Sequence, residues 1–278
     1  MDSTLNKVPI LDYGYVALVE TWGSDERIIE AARMSTNKGF LGWGPIATDE
    51  PCEKCDGTGF LDERGWRIGR QPFGYSQPCS YCGGTKLSRK EGDEKLLKYL
   101  SDNHHDTPFE FAGMVIEVQA PIFVFREWHR HRTQSYNEMS ARYTPLPDVN
   151  YLPSIERLFM SSTTNKQAGK TQSAHELTEG SARDFREKIS WWYERSEEIY
   201  QWALERGIPK ELARIHLPVG RYSRMRASTC LRNWLSFLTL RMAPNAQWEI
   251  RQYANEVGKL ISEKFPRTWE LFVQRNGR

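Results

Sequence analysis

Two Cys-x-x-Cys pairs restrict the fold of this chain more tightly than any other pattern in it. Pro51-Cys52-Glu-Lys-Cys55-Asp-Gly57-Thr-Gly59 is echoed by Pro78-Cys79-Ser-Tyr-Cys82-Gly83-Gly84. The glycines let each hook turn its backbone amides toward sulfur. Met1 to Lys7 carry no charged stretch followed by an apolar run, so no secretory leader is read. The expected location is then cytoplasmic, where cysteines stay reduced and paired hooks point to metal rather than disulfides. Four thiolates suit tetrahedral zinc, and a site closed by four protein ligands has no open position for catalysis. Cys52, Cys55, Cys79 and Cys82 are therefore the expected zinc ligands of a four-cysteine subdomain inserted at residues 41–90. Zinc would supply the folding free energy that so glycine-rich a segment lacks. A redox dithiol pair and four metal-free thiols are the alternatives.

Outside the hooks the chain alternates between strand and helix signals. Ser24, followed by Asp25 and Glu26, predicts an N-capped helix to about residue 34. A second helix is expected over 91–103. Residues 15–19 and 109–118 read as strands. Pro121 suits the first position of a helix that carries Phe123, Phe125 and Trp128 and ends in Arg130-His131-Arg132. Asn137, Pro145 and Pro147 stop regular structure soon after. A long helix is expected from Ser181, with Phe185, Ile189, Trp192, Ile199 and Ala203 at helical spacing and Gly207 past its end. Trp192 is read as core. Helices over about 226–240 and 245–265 follow, with Cys230 packed inside the first beside Leu231 and Trp234. Residues 161–180, rich in Ser, Thr, Gln, Lys and Gly, read as a flexible loop. The class is α+β: an antiparallel or mixed sheet with long helices, and a small zinc-ribbon-like insertion in a single catalytic domain over 1–278.

Charge narrows the partners. Lys plus Arg number 38 against 36 Asp plus Glu, a net +2 that carries no polyanion footprint, so no nucleic-acid partner is expected. No run of about 18 apolar residues exists, so no membrane partner is expected either. The cations gather locally instead, which favours a small phosphorylated ligand. Residues 130–143 read Arg-His-Arg-Thr-Gln-Ser-Tyr-Asn-Glu-Met-Ser-Ala-Arg-Tyr. Guanidinium forks suit phosphate and planar heterocycles because they offer fixed donors and keep their charge.

Arg130-His131-Arg132, seven residues, Ser140 and Ala141-Arg142-Tyr143 together resemble the signature of the flavin-dependent thymidylate synthases (ThyX). Further blocks follow in the family's order. Upstream are residues 31–35 (Ala-Ala-Arg-Met-Ser), 105–110 (His-Asp-Thr-Pro-Phe-Glu) and 120–124 (Ala-Pro-Ile-Phe-Val). Downstream are 213–218 (Ala-Arg-Ile-His-Leu-Pro), Leu240-Arg241 and 246–250 (Ala-Gln-Trp-Glu-Ile). The cysteine hooks are similar to those of DnaJ-type zinc domains and depart from the usual family pattern.

The resemblance implies a ThyX-like fold and reductive methylation of dUMP to dTMP. Methylenetetrahydrofolate, a folate, gives the carbon, FAD carries it with the electrons, and NADPH reduces the flavin. It also implies roles at the matching positions. Arg130, His131 and Arg132 contact FAD, and Arg130 also reaches the nucleotide. Glu138 orients flavin and sugar. Ser140, Ala141 through its backbone, and Arg142 bind the dUMP phosphate, with Ser140 a donor and not a nucleophile. Arg214 and Arg241 hold dUMP, and Arg241 is the catalytic candidate because its charge favours ionisation at uracil N3. Arg232 contacts the flavin, and Ser35, His105, Thr107 and Glu110 lie near it. Glu127 stands where glutamine is frequent and can accept from uracil N3 but not donate. Cys230 and Ser236 replace asparagines that contact FAD.

Arg232 and Arg241 lie nine residues apart, and steps of about 100° put them on opposite helix faces. A site shared between subunits resolves this, in line with the family's homotetramer. A zinc-containing nucleic-acid-binding module and an inactive scaffold relative are the other readings. Salt-sensitive DNA binding would favour the module, and flavin absorbance the enzyme.

Overall fold

The computed structural model describes residues 5–62, 64–66, 76–160 and 176–277. The loop read over 161–180 lies, through residue 175, outside them. In chain order the strands are β1 (Lys7–Ile10), β2 (Gly14–Trp22), β3 (Ile46–Pro51), β4 (Phe60–Asp62), β5 (Ser76–Pro78), β6 (Leu87–Lys90), β7 (Gly113–Pro121), β8 (Ser135–Glu138) and β9 (Tyr222–Cys230). The helices are α1 (Asp25–Arg33), α2 (Glu94–Asp102), α3 (Ile122–Trp128), α4 (Ile155–Phe159), α5 (Glu179–Glu205), α6 (Lys210–Ala213), α7 (Leu231–Arg241), α8 (Trp248–Lys264) and α9 (Pro266–Asn276). They fall into two compact units, Met1–Gly23 with Phe109–Arg278, and Ser24–Pro108.

The first unit is built on an antiparallel sheet in the order β1-β2-β7-β9-β8. In β7 every second residue, Met114, Ile116, Val118 and Ala120, is fully buried, so one face of the sheet faces a core. That core takes Val124, Phe125 and Trp128 from α3, and Leu231, Trp234, Phe237 and Leu238 from α7. From α8 it takes Ile250, Tyr253, Ala254, Val257 and Ile261. The Trp128 ring stacks on Phe237 at 4.6 Å, and the Trp234 Nε1–H donates to the Met114 carbonyl at 3.1 Å. At Gly14 any Cβ would sit 2.0 Å from the Tyr253 hydroxyl, so the chain passes there only as glycine.

Several elements differ from the sequence reading, each for a local reason. The strand expected from residue 109 starts at Gly113, because Thr107–Phe111, with Pro108 lacking an amide donor, coils into a 3-10 turn. The helix expected over 226–240 begins as strand, as far as Cys230, and is helical from Leu231. Arg224 to Thr229 alternate in burial, and pairing with β7 on one edge and β8 on the other outweighs weak local preference. Cys230 consequently caps the start of α7, half-buried, rather than lying inside a helix. Helix α3 stops at Trp128, so Arg130-His131-Arg132 occupy a turn, not a helix end, and the signature then enters edge strand β8.

Helix α5 buries Ala182, Ser196, Tyr200 and Ala203. Its large apolar stripe faces outward. Trp192, read as core, is 48% exposed, and Phe185, Trp191, Ile199 and Trp202 are exposed with it.

In the second unit Ser24 Oγ accepts the Arg27 amide and caps α1 as expected. Strands β3 and β6 pair, as do β4 and β5, and between them lie the cysteine hooks. The hooks repeat one geometry with an offset of 27 residues. Thr58 Oγ1 donates to Cys55 O at 2.7 Å, and Thr85 Oγ1 to Cys82 O at 2.7 Å, while the glycine bond differs by one residue, with Gly57 N donating to Cys52 O and Gly83 N to Cys79 O. They also hold each other: Cys52 N donates to Lys86 O and Cys79 N to Gly59 O.

Candidate active site

The turn that follows α3 is organised around its carbonyls. Tyr136 Oη donates to His131 O at 2.7 Å and to Trp128 O at 3.2 Å, and the Trp128 Nε1–H donates to Gln134 Oε1. Trp128 and Gln134 are buried, so this turn is anchored in the core and not on the surface. Arg130 and Arg132 stay exposed on it, with no carboxylate partner among the described residues.

The C-terminal end of α7 meets this turn. Arg241 Nε donates to His131 Nε2 at 2.8 Å, Nη1 to Glu127 Oε2 at 2.9 Å, and Nη2 to the Glu127 carbonyl at 2.7 Å. Arginine only donates, so His131 Nε2 must present its lone pair, and any proton of the neutral ring sits on Nδ1. Burial, with the Arg241 charge second, pulls the His131 pKa down to about 4, against a partial upward pull from Glu127. The imidazole is neutral at neutral pH. Its ring also meets Phe237 edge-on at 4.9 Å.

A second group surrounds the end of the signature. The Arg142 amide donates to Ser140 Oγ at 3.3 Å, and Ala141 is buried beneath the turn. Arg142 pairs with Glu211 at 3.0 Å, both half-exposed, while Lys210 Nζ donates to Tyr143 O. Glu211 and Lys210 belong to α6, whose C-cap is Arg214. A loop rich in cationic and hydroxyl donors is thus tied to the segment that carries another arginine.

Glu138 lies at the end of β8, opposite Met225 of β9. Arg232, at the start of α7, pairs with Glu110 at 2.7 Å. Ser236 is exposed midway along that helix. Arg232 and Arg241 therefore serve two separate clusters of one helix. Ser35, His105 and Thr107 belong to the other compact unit: Ser35 Oγ donates to Ala32 O, His105 meets the Tyr99 ring edge-on at 5.5 Å, and Thr107 is exposed.

Three supporting residues escaped the sequence reading: Tyr136, Gln134 and Phe237. Tyr136 and Gln134 lie within the signature itself, and their aromatic and amide groups were the available signal. Phe237 had only its i+3 spacing from Trp234.

A flavin and a metal can both be tested against these donors. Exposed guanidinium groups without carboxylate partners, such as Arg130 and Arg132, fit an anionic dinucleotide such as a flavin cofactor, because bound phosphates would supply the missing countercharge. The sulfurs of Cys52, Cys55, Cys79 and Cys82 are buried and lie within 4.8 Å of one another, with Cys55 and Cys82 at 3.8 Å. Metal–sulfur bonds of about 2.3 Å in a tetrahedron put sulfurs about 3.8 Å apart, so this donor set could bind a metal. The Gly59 amide donates to Cys55 Sγ at 3.2 Å.

Comparison with known proteins identifies the family. The family described as "Thymidylate synthase complementing protein" matches residues 17–267. The flavin-dependent thymidylate synthase of Thermotoga neapolitana is 33% identical over 96% of this chain and 94% of its own. That of Thermus thermophilus is 33% identical over 96% of this chain and 78% of its own. Among solved structures, the UMP/dUMP methylase PolB of Streptomyces cacaoi, bound with 5-Br dUMP, superposes with a TM-score of 0.66 at 27% identity, covering 96% of this chain and 97% of that one. The chain belongs to the flavin-dependent thymidylate synthase family.

The depressed His131 pKa has a signed consequence. The unfolded chain takes up a proton at this histidine below about 6.5, whereas the folded chain resists until about 4. Stability from this group is complete above pH 6.5 and is lost as pH falls toward 4. Urea midpoints measured across that range should drop in the wild type, and His131→Gln should remove part of the slope while leaving the region above pH 7 parallel.

Proposed function

We propose that this protein makes dTMP from dUMP by reductive methylation, with methylenetetrahydrofolate as carbon donor, FAD as the flavin and NADPH as reductant. The observation that carries the reading is the Arg241 guanidinium, fixed by Glu127 and by a neutral histidine of the Arg-His-Arg turn. A held cation beside a pyrimidine stabilises negative charge that develops on the ring without having to reorganise during the reaction. The solved relative bound to 5-Br dUMP supports the nucleotide assignment. Once bound, the flavin supplies the electrons and relays the one-carbon unit.

The remaining roles are the chain's own. Ser140, the Ala141 backbone, Arg142 and Arg214 grip the dUMP phosphate, for which Arg142 exchanges its exposed Glu211 partner. Arg130 and Arg132 neutralise FAD phosphates, and Glu138 orients flavin and sugar. Neutral His131 keeps a lone pair on Arg241 and adds no competing positive charge at the pyrimidine edge. Glu110 and Arg232, together with Ser35, His105, Thr107 and Ser236, complete the proposed flavin contacts.

Two further parts belong to the same reading. Residues 41–90 form a zinc-binding insertion in a catalytic domain spanning 1–278, with Cys52, Cys55, Cys79 and Cys82 as ligands. The protein works in the cytoplasm as a homotetramer with shared sites. The outward stripe of Phe185, Trp192 and Ile199, seven residues apart along α5, supports self-association, since so large an apolar seam is costly in water. No described helix is long and apolar enough to cross a membrane.

Anaerobic incubation with dUMP, methylenetetrahydrofolate and NADPH should yield dTMP, and an absence of product from FAD-loaded protein would refute the reading. Arg241→Ala should abolish dTMP formation, a loss of at least about 100-fold, while the flavin spectrum persists; loss of FAD would instead make Arg241 a flavin ligand. In Cys79→Ser, metal analysis should show zinc released and proteolysis should cut the insertion first. Analytical ultracentrifugation should give a tetramer, and full activity from a monomer would exclude the shared site.

A further inference from the structure

We propose that Glu127 is a positioning residue that acts on the nucleotide through Arg241, rather than a direct ligand of the pyrimidine. This deepens the proposed function and rests on it. Glu127 grips the guanidinium twice, through its carboxylate at Nη1 and its own main-chain carbonyl at Nη2. It is the penultimate residue of α3, next to the fully buried Trp128, so the grip is tied to the core. The third side of the fork is closed by His131.

A guanidinium has five N–H groups, and this clamp engages three of them. One N–H on each of Nη1 and Nη2 is left without a partner among the described residues. Those two keep the guanidinium able to donate to a bound nucleotide while Glu127 and His131 hold it. Arg241 is 15% exposed in its side chain, enough for an edge to be reached but not for the head to swing freely. Glu127 commits Oε2 to the arginine, so that oxygen is not free to accept from a pyrimidine. Its negative charge also offsets the guanidinium in the resting protein, so a cation stays in place without an anion bound.

The test is a double-mutant cycle on dUMP binding, read as Kd by calorimetry on FAD-loaded protein with wild type, Glu127→Ala, Arg241→Ala and the double variant. Glu127→Ala should weaken dUMP about tenfold, on the order of one charge-assisted hydrogen bond. In the Arg241→Ala background the same change should have no further effect. Glu127→Gln, which keeps an oxygen for Nη1, should recover most of the affinity; if Glu127→Ala loses its flavin or its melting transition, Glu127→Met, which fills the space without an acceptor, takes its place in the cycle. Losses that multiply in the double variant would show an independent contact with the nucleotide and overturn the proposal. Wild-type affinity in Glu127→Ala would overturn it as well. A wild type that does not bind dUMP removes the proposed function itself, and this inference with it.

Discussion

The long antiparallel register between β7 and β9 is the constraint on which the site depends. Nine residue pairs, from Gly113 with Cys230 to Pro121 with Tyr222, fix where each strand ends. Helix α3 leaves directly from the end of β7, and α7 leaves directly from the end of β9. The two helices therefore start at opposite ends of the same ladder. Trp128 and Phe237 then stack across the core and set their spacing. A one-residue slip would turn Met114, Ile116 and Val118 to the wrong face and separate Glu127 from Arg241 together. Chemistry at the site is thus tied to burial of the sheet.

Within that frame the electrostatics are uneven by construction. Arg221, fully buried, is held by Asp148 and Glu197, as a buried cation must be. Arg157 is likewise bound by buried Glu249. Arg130 and Arg132, by contrast, lie exposed with no anionic partner among the described residues. Water makes an exposed guanidinium inexpensive to leave unpaired, whereas a buried one demands its carboxylates. The chain thus keeps Arg221 and Arg157 neutralised and Arg130 and Arg132 available. Arg241 sits between the two regimes, partly buried and clamped by one carboxylate, one carbonyl and one neutral imidazole.

Much of this was legible in the sequence, though not evenly. Motif residues were readable because their side chains are the message: Arg130 through Arg142, Arg241 and the four cysteines need no structure to be singled out. Capping at Ser24 and the alternation through β7 were readable because local chemistry decides them. Strand β9 was not, since Arg-Met-Arg-Ala-Ser-Thr has no strong intrinsic preference and becomes a strand only through pairing on both edges. Trp192 misled for a related reason. Helical spacing marks an apolar stripe but does not say which face of the helix the fold buries, and α5 buries a second, smaller face of Ala182, Ser196, Tyr200 and Ala203. The contacts of Glu127 and His131 with Arg241, more than 100 residues apart, lie beyond any local pattern.

The cysteine hooks make the converse case, in which short-range pattern determines almost everything. Both hooks use a glycine-assisted turn, closed at Gly57 in one and at Gly83 in the other, and the same threonine bond to the second cysteine carbonyl, and each lends the other one backbone hydrogen bond. Two such units related by a repeat form a closed pair, because each unit's donor finds its acceptor only on its twin. The core between them is little more than Leu61 and the four sulfurs. Apolar burial on that scale cannot offset the ordering of so many residues. A bound metal can, since its ligand bonds are made only when all four thiolates converge.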